Sequence, residues 1–309
     1  MMNKNKKLII IAVVLISLIF MSIYIPTNAS DELSPEALAV TLVIDNSGSM
    51  KSTDPLGLRE TAANIFIDLL SPEDYLSVIT FNTKQKVVIP IQQIKNSSNK
   101  AGFKKILSQN IEESGDTDYL GALNEGSKQL STVNKGNVRK VILFLTDGEP
   151  DPNMARKKDT EFMNSYMNSL WKAVSNLALN KCSVYSIGFS KGVNKAVLER
   201  ISKDTQGSLK ISSDSTELAL NFFNILGNLK NRKELFNETL ELKESKSLEF
   251  DLDENTAQTT MVFASPEGKP LEISLISPDG KSAKSGVIIN KYDKYSIVTI
   301  NQNNENLSG

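Results

Sequence analysis

The sequence contains no histidine and only one cysteine among 309 residues. Without an imidazole there is no Ser-His-Asp or Cys-His nucleophile and no histidine-based zinc site, which removes most hydrolase chemistry. The lone Cys182 excludes an intrachain disulfide, a CxxC redox pair and a multi-thiolate zinc site. It stands in an apolar run, 182–187, and reads as a core thiol. Neither sign of charge is in excess: 35 basic residues face 36 acidic ones, so no broad basic field exists to attract nucleic acid. Gly-x-x-x-x-Gly-Lys and Gly-x-Gly-x-x-Gly strings are missing, so phosphate and dinucleotide chemistry have no support. What is present, 40% hydrophobic and 23% charged residues, suffices for one full-sized core and a smaller companion domain.

Lys4, Lys6 and Lys7 precede an uncharged apolar run, 8–25, followed by Thr27-Asn28-Ala29, whose small residues suit signal peptidase. The run is longer than a typical secretory core and approaches the length that spans a bilayer. Two readings of residues 1–29 stay open: a signal peptide cut after Ala29, or a retained N-terminal membrane anchor. Both put Ser30 onward outside the cytoplasm, secreted or on the cell surface. The all-round apolarity and the basic flank argue against a buried helix.

Between residues 36 and 229, continuous apolar runs alternate with amphipathic stretches, the pattern of a doubly wound, mostly parallel sheet flanked by helices. Strands are expected at 39–44, 76–81, 141–145 and 184–187, continuous because both faces are buried. One helix is expected to open on Asp54 and Pro55, with Leu58, Ala62, Ile65, Phe66 and Leu69 on one face. A second, 160–179, carries Met163, Met167, Leu170, Val174 and Leu177 at helical spacing, with Trp171 read as core. A third opens at Asp214 and Glu217 and turns Leu218, Phe222, Ile225, Leu226 and Leu229 inward. A charged linker, 230–247, then leads to a small, incomplete β-sandwich, 248–309, with an unpaired edge after Ile300 and a turn at Ser277-Pro278-Asp279-Gly280. Asp251, Asp253 and Asn255 imitate a calcium loop, but Thr256 replaces its glycine and Val262 its closing glutamate, so they read as an acidic strand edge.

Three fragments carry chemistry. Asp45-Asn46-Ser47-Gly48-Ser49 follows the first strand, Thr117 lies just before a helix, and Asp147 follows a hydrophobic strand in Thr146-Asp147-Gly148-Glu149. In a doubly wound sheet such loops converge at one edge, delivering two carboxylates and three hydroxyls to one point. These are hard oxygen donors, suited to a small hard cation that retains some water.

In that order and context, Asp45-x-Ser47-x-Ser49, Thr117 and Asp147 resemble the metal ion-dependent adhesion site of the von Willebrand factor type A superfamily, over roughly 36–229. The resemblance implies one Mg²⁺, or Mn²⁺ or Ca²⁺, bound directly by Ser47 and Ser49, by Thr117 directly or through water, and by Asp45 and Asp147 mainly through water. Asp116 stands where many members have glycine, and Ser52 and Thr53 replace the acidic pair that gives integrin β subunits a second site. The implied function is non-enzymatic: a protein partner offers Asp or Glu to the cation, with no nucleic acid and no small-molecule substrate, and with the membrane reached only through an uncleaved N-terminus. Arg156, Lys157 and Lys158, in the loop 148–159, are candidates for steering that partner, beside a reading as a solvated charge run. The alternatives are a non-catalytic subunit of a larger metal-dependent assembly and, with no general base in sight, a metal-dependent hydrolase.

Overall fold

The computed structural model describes residues 6–13, 16–26, 37–190, 192–212, 215–242, 245–252, 256–265, 271–277 and 280–301. They fall into two compact units, one of them Glu36–Phe222, the other drawn from both sides of it.

In chain order the N-terminal strands are β1 (Lys6–Val13) and β2 (Ile16–Pro26). The first unit then runs β3 (Ala37–Asp45), α1 (Met50–Thr53), α2 (Leu58–Leu69), β4 (Tyr75–Phe81), β5 (Gln85–Gln93), α3 (Ser97–Ser108), α4 (Tyr119–Ser131) and β6 (Val138–Thr146). It continues through α5 (Thr160–Leu179), β7 (Cys182–Phe189), α6 (Lys195–Asp204) and β8 (Leu209–Ser212) to the first half of α7 (Ser215–Leu229), which crosses the unit boundary after Phe222. Its sheet has the order β5-β4-β3-β6-β7-β8, parallel throughout except for β5. Pro90 lies in β5, an edge strand, where its missing N–H costs no ladder bond. From β3 the chain steps outward to β4 and β5, then returns to place β6 on the other side. That reversal opens a crevice beyond the carboxyl ends of β3 and β6.

The four central strands are buried on both faces, which is why their sequences run apolar without alternation. Ala39, Val43, Ile79, Phe81, Ile142, Phe144 and Val184 form one core with Leu123 and Leu130 of α4, Leu170 and Val174 of α5, and Leu198 of α6. Alternation turns Val40, Leu42, Val141 and Leu143 to the opposite face. Each such side chain, fully buried, stabilises the fold by about 1.5–3 kcal/mol. Cys182 is buried, and burial pushes its thiol up to about 12, consistent with an inert core residue. Trp171 packs on the same core, with the Arg200 guanidinium 3.9 Å from its ring centre.

The predicted central strands and the helix at 160–179 match β3, β4, β6, β7 and α5. Tyr166, absent from the predicted stripe, is buried more deeply than Met163 or Met167. The helix expected from Asp54 begins instead at Leu58, after Gly57 in a left-handed turn (φ 64°). Asp54 still caps it, because its carboxylate reaches over that turn to the N–H groups of Leu58 and Arg59 at 2.6 and 3.1 Å. β5, half exposed and interrupted by proline, and β8, of four residues, gave no readable pattern. Leu218, Phe222, Ile225, Leu226 and Leu229 of α7 are buried as expected, while Asp214 lies outside the described residues.

The second unit contains two antiparallel sheets, ordered β10-β1-β12 and β13-β14-β11-β2-β9. Here β9 is Lys233–Leu242, β10 Ser245–Leu252, β11 Thr256–Ala264, β12 Glu272–Ile276, β13 Val287–Lys291 and β14 Tyr295–Asn301. Phe250, Met261, Phe263, Ile273, Leu275, Val298 and Ile300 bring both sheets into one core. The strands of this unit differ from the sequence reading in three places. The stretch 230–247 holds β9 and the start of β10 as well as its charged residues. The described residues of the run 8–25 form strands β1 and β2, an all-apolar segment having no periodicity that separates strand from span. Finally, β14 has β13 on one side and β11 on the other, so Ile300 does not end on an open edge. Gly280, with φ 79°, closes the predicted turn by donating its N–H to Ser277, whereas Pro278, Asp279, Asp253 and Asn255 lie outside the described residues. Among the described residues no helix is long and apolar enough to cross a membrane.

Candidate functional site

The register of β3 against β6 pairs Ile44 with Leu145, so Asp45 comes to lie beside Thr146 at the mouth of the crevice. Thr146 Oγ1 donates to Asp45 Oδ2 at 2.6 Å, and the Ser47 N–H donates to Asp45 Oδ1 at 2.7 Å, which folds the first loop back over its own strand. The second loop, 110–118, is laced to the first: Ser114 N–H donates to the Asn46 carbonyl at 2.9 Å and Gly48 N–H to the Gly115 carbonyl at 3.1 Å. Gly115 sits at φ 75°, where a side chain would be strained and would also meet Thr83. The second and third loops are joined by a two-bond antiparallel bridge between Thr117 and Asp151, at 2.7 and 3.0 Å.

All five predicted donors are thereby gathered. Ser47 Oγ lies 3.1 Å from Ser49 Oγ, Ser49 Oγ donates to Asp147 Oδ1 at 2.8 Å, and a Cβ added at Gly148 would stand 3.8 Å from Thr117 Oγ1. Asp45, Ser47, Thr117 and Asp147 are buried, and the exposed Ser49 is their opening to solvent. Thr146 and Thr53 belong to the same network, Thr53 donating to Asp147 Oδ2. The sequence reading missed both. Thr146 was signalled by its place beside Asp147, whereas Thr53 had no signal, since only the short helix α1 turns it inward.

Burial pushes the Asp45 carboxyl up to about 6, hydrogen bonds from Ser47 and Thr146 pulling against that and the Asp147 charge adding to it. Among the described residues no Lys or Arg pairs with Asp45 or Asp147. Two buried carboxylates without a cationic partner are costly, and a bound cation would relieve that cost. The donor set therefore fits a hard divalent ion: two carboxylates plus hydroxyls that keep lone pairs free while donating to those carboxylates. It contains no group of three acidic, Cys or His residues, and none occurs elsewhere among the described residues.

The basic triplet is mostly engaged. Arg156 pairs with Asp159 at 2.7 Å and lies 4.1 Å from the centre of the Phe162 ring. Lys157 bridges Glu149 and Asp151 at 2.6 and 3.3 Å, and these contacts raise its pKa. Lys158 is exposed, with no ion pair among the described residues. On the other flank, a cavity of about 280 Å³ is lined by Asn46, Asn82, Asn110, Glu112 and the exposed Lys84 and Lys86.

Residues 39–224 match the von Willebrand factor type A domain family. The chain is 31% identical to an uncharacterised protein of Synechocystis over 68% of this chain and 46% of that one. It is 28% identical to a human inter-alpha-trypsin inhibitor heavy chain over 60% of this chain and 20% of that one. It thus spans less than half the length of these relatives. Among solved structures, a von Willebrand factor type A protein from Catenulispora acidiphila superposes with a TM-score of 0.55 at 14% identity, covering 96% of this chain and 65% of that one.

Proposed function

The chain belongs to the von Willebrand factor type A domain family, and from that premise we propose that its first unit is an extracytoplasmic binding module that holds one divalent cation and through it a protein partner. Domains of this family commonly mediate adhesion and protein–protein contact and often bind a divalent metal. The observation that carries the reading is the pair Asp45 and Asp147: buried, without a cationic partner among the described residues, and ringed by hydroxyls from three loops at the switch point of the sheet.

Ser47, Ser49 and Thr117 would hold the ion through their lone pairs, with Asp45 and Asp147 fixing the hydroxyls and acting on the ion mainly through water. When bound, the ion, Mg²⁺ or its analogues Mn²⁺ and Ca²⁺, supplies a Lewis-acidic contact for an Asp or Glu of the partner. Because the direct donors are neutral, little charge is quenched and that contact stays strong. Lys158 on one flank and Lys84 and Lys86 on the other favour an acidic approach. Nothing in the network acts as a general base apart from the two carboxylates committed to the ion, which favours binding over turnover. Export by residues 1–29 completes the reading, and Edman or mass-spectrometric sequencing of the secreted chain tests it: an intact N-terminus on a soluble secreted product would refute both signal and anchor.

The test of the site is calorimetric titration of the 309-residue chain. About one Mn²⁺ or Mg²⁺ should bind, and Asp45→Ala or Asp147→Ala should abolish binding with only modest loss of fold. Unchanged affinity in both variants would rule out the site.

A further inference from the structure

Arg59 is fully buried, an unusual place for a guanidinium. It is the second residue of α2 and packs between two carboxylates from different loops. Nη1 lies 3.3 Å from Asp54 Oδ2, and Nη2 forms an ion pair with Glu113. Asp54 is the residue after Thr53, which donates to Asp147, and Glu113 is the residue before Ser114, which holds the first loop by its carbonyl. Asp54 is itself pinned to the start of α2 by two backbone N–H groups. Arg59 thus joins the end of the first donor loop to the approach of the second, and among the described residues its side chain bonds to Asp54 and Glu113 and to none of the donors.

A buried ion pair is a poor source of stability, because desolvating the charges offsets their attraction, and an apolar replacement is often neutral. What a planar guanidinium does supply is fixed geometry between two carboxylates. The arrangement also leaves Arg59 Nε buried with no partner among the described residues, a cost that packing for stability alone would not select. We propose that Arg59, with Asp54 and Glu113, is a positioning clamp that sets cation affinity by holding the first two donor loops in register. This inference rests on the metal-binding reading above and adds residues that neither the donor motif nor the family match assigns.

The test uses the full chain and Mn²⁺ alone, titrated calorimetrically at a temperature where thermal melts show every variant folded. Glu113→Gln removes one arm at a partly exposed position and should fold; Arg59→Met fills the volume without charge. Both should weaken Mn²⁺ binding by about tenfold or more, the scale of losses when groups behind metal ligands are changed. The control is Lys104→Met, which breaks the 2.7 Å pair between α3 and Asp68 of α2, both outside the three donor loops in sequence. It should lower the melting temperature and leave affinity within about twofold. Arg59→Lys, with one compact ammonium, should recover stability more than affinity. Glu113→Gln binding Mn²⁺ like the unaltered chain would overturn the clamp, as would an equal affinity loss in Lys104→Met, since the effect would then be general loosening. If the unaltered chain binds no Mn²⁺, the proposed function itself fails and the clamp with it.

Discussion

Replacing Tyr166 by Phe deletes one oxygen atom, and the structure assigns that atom three jobs. The phenol donates to Asp118 Oδ1 at 3.0 Å, accepts the Leu120 N–H at 3.0 Å, and fills a site where only a small part of the residue meets solvent. Leu120 lies in the first turn of α4, whose N–H groups have no partner within the helix. Burial first, then the nearby Asp118 charge, raise the phenol pKa, so it remains a donor at neutral pH. Losing a hydrogen bond to a carboxylate costs about 1.5–3 kcal/mol, and orphaning a buried N–H about 1–3 kcal/mol. Asp118 keeps Gln85 Nε2 at 2.9 Å and the Gly121 N–H at 3.1 Å, and Leu120 is only half buried, so the lower halves of both ranges apply. The expected loss is about 2.5–4 kcal/mol, or roughly 8–12 °C in Tm at about 3 °C per kcal/mol for a domain of this size. Urea unfolding followed by the fluorescence of Trp171, the single tryptophan and in the same helix, reports on this unit alone. Tyr185→Phe is the comparison: it is equally buried, but its hydroxyl has one partner among the described residues, Arg139 Nη2 at 3.0 Å, so about 1 kcal/mol is expected. Equal losses in the two variants, or a Tyr166→Phe loss below about 0.5 kcal/mol, would refute the assignment of that network.

Saturating Mg²⁺ should stabilise the first unit, by about 2.7 kcal/mol at a hundredfold excess over Kd, and EDTA should reverse it; a thermal melt indifferent to both would contradict the cation site. Gly207→Ala should be among the most damaging single changes, because an added Cβ would stand 1.9 Å from the Val184 carbonyl oxygen, part of the backbone of β7. A soluble variant melting within about 2 °C of the unaltered chain would show that this approach relaxes freely. Cys182 should resist iodoacetamide at pH 8 in the native chain and react in urea, since burial holds its thiol at about 12; rapid native labelling, followed by mass spectrometry, would show the strand opening.

Much of this protein was legible along the chain. The central strands announced themselves because a strand covered on both faces must be apolar at every position, and β3, β4, β6 and β7 are so covered. The meeting of the five candidate residues was legible because a strand end, a small polar loop and a helix start are local features, and the doubly wound order sends such loops to one edge. Edge strand β5 and the short β8 were not legible, since half-exposed or brief segments satisfy no periodic rule. Nor was the run 8–25, whose uniform apolarity suits a span, a secretory core or the strands β1 and β2 of two different sheets equally well. What only the tertiary structure decided was pairing. It put Thr53 on Asp147, 94 residues away, drew Lys157 to Glu149 and Asp151, and set Arg59 between Asp54 and Glu113. A side chain's type states what it can bond, but its partner depends on which loops the sheet order brings together, and that is a property of the whole fold.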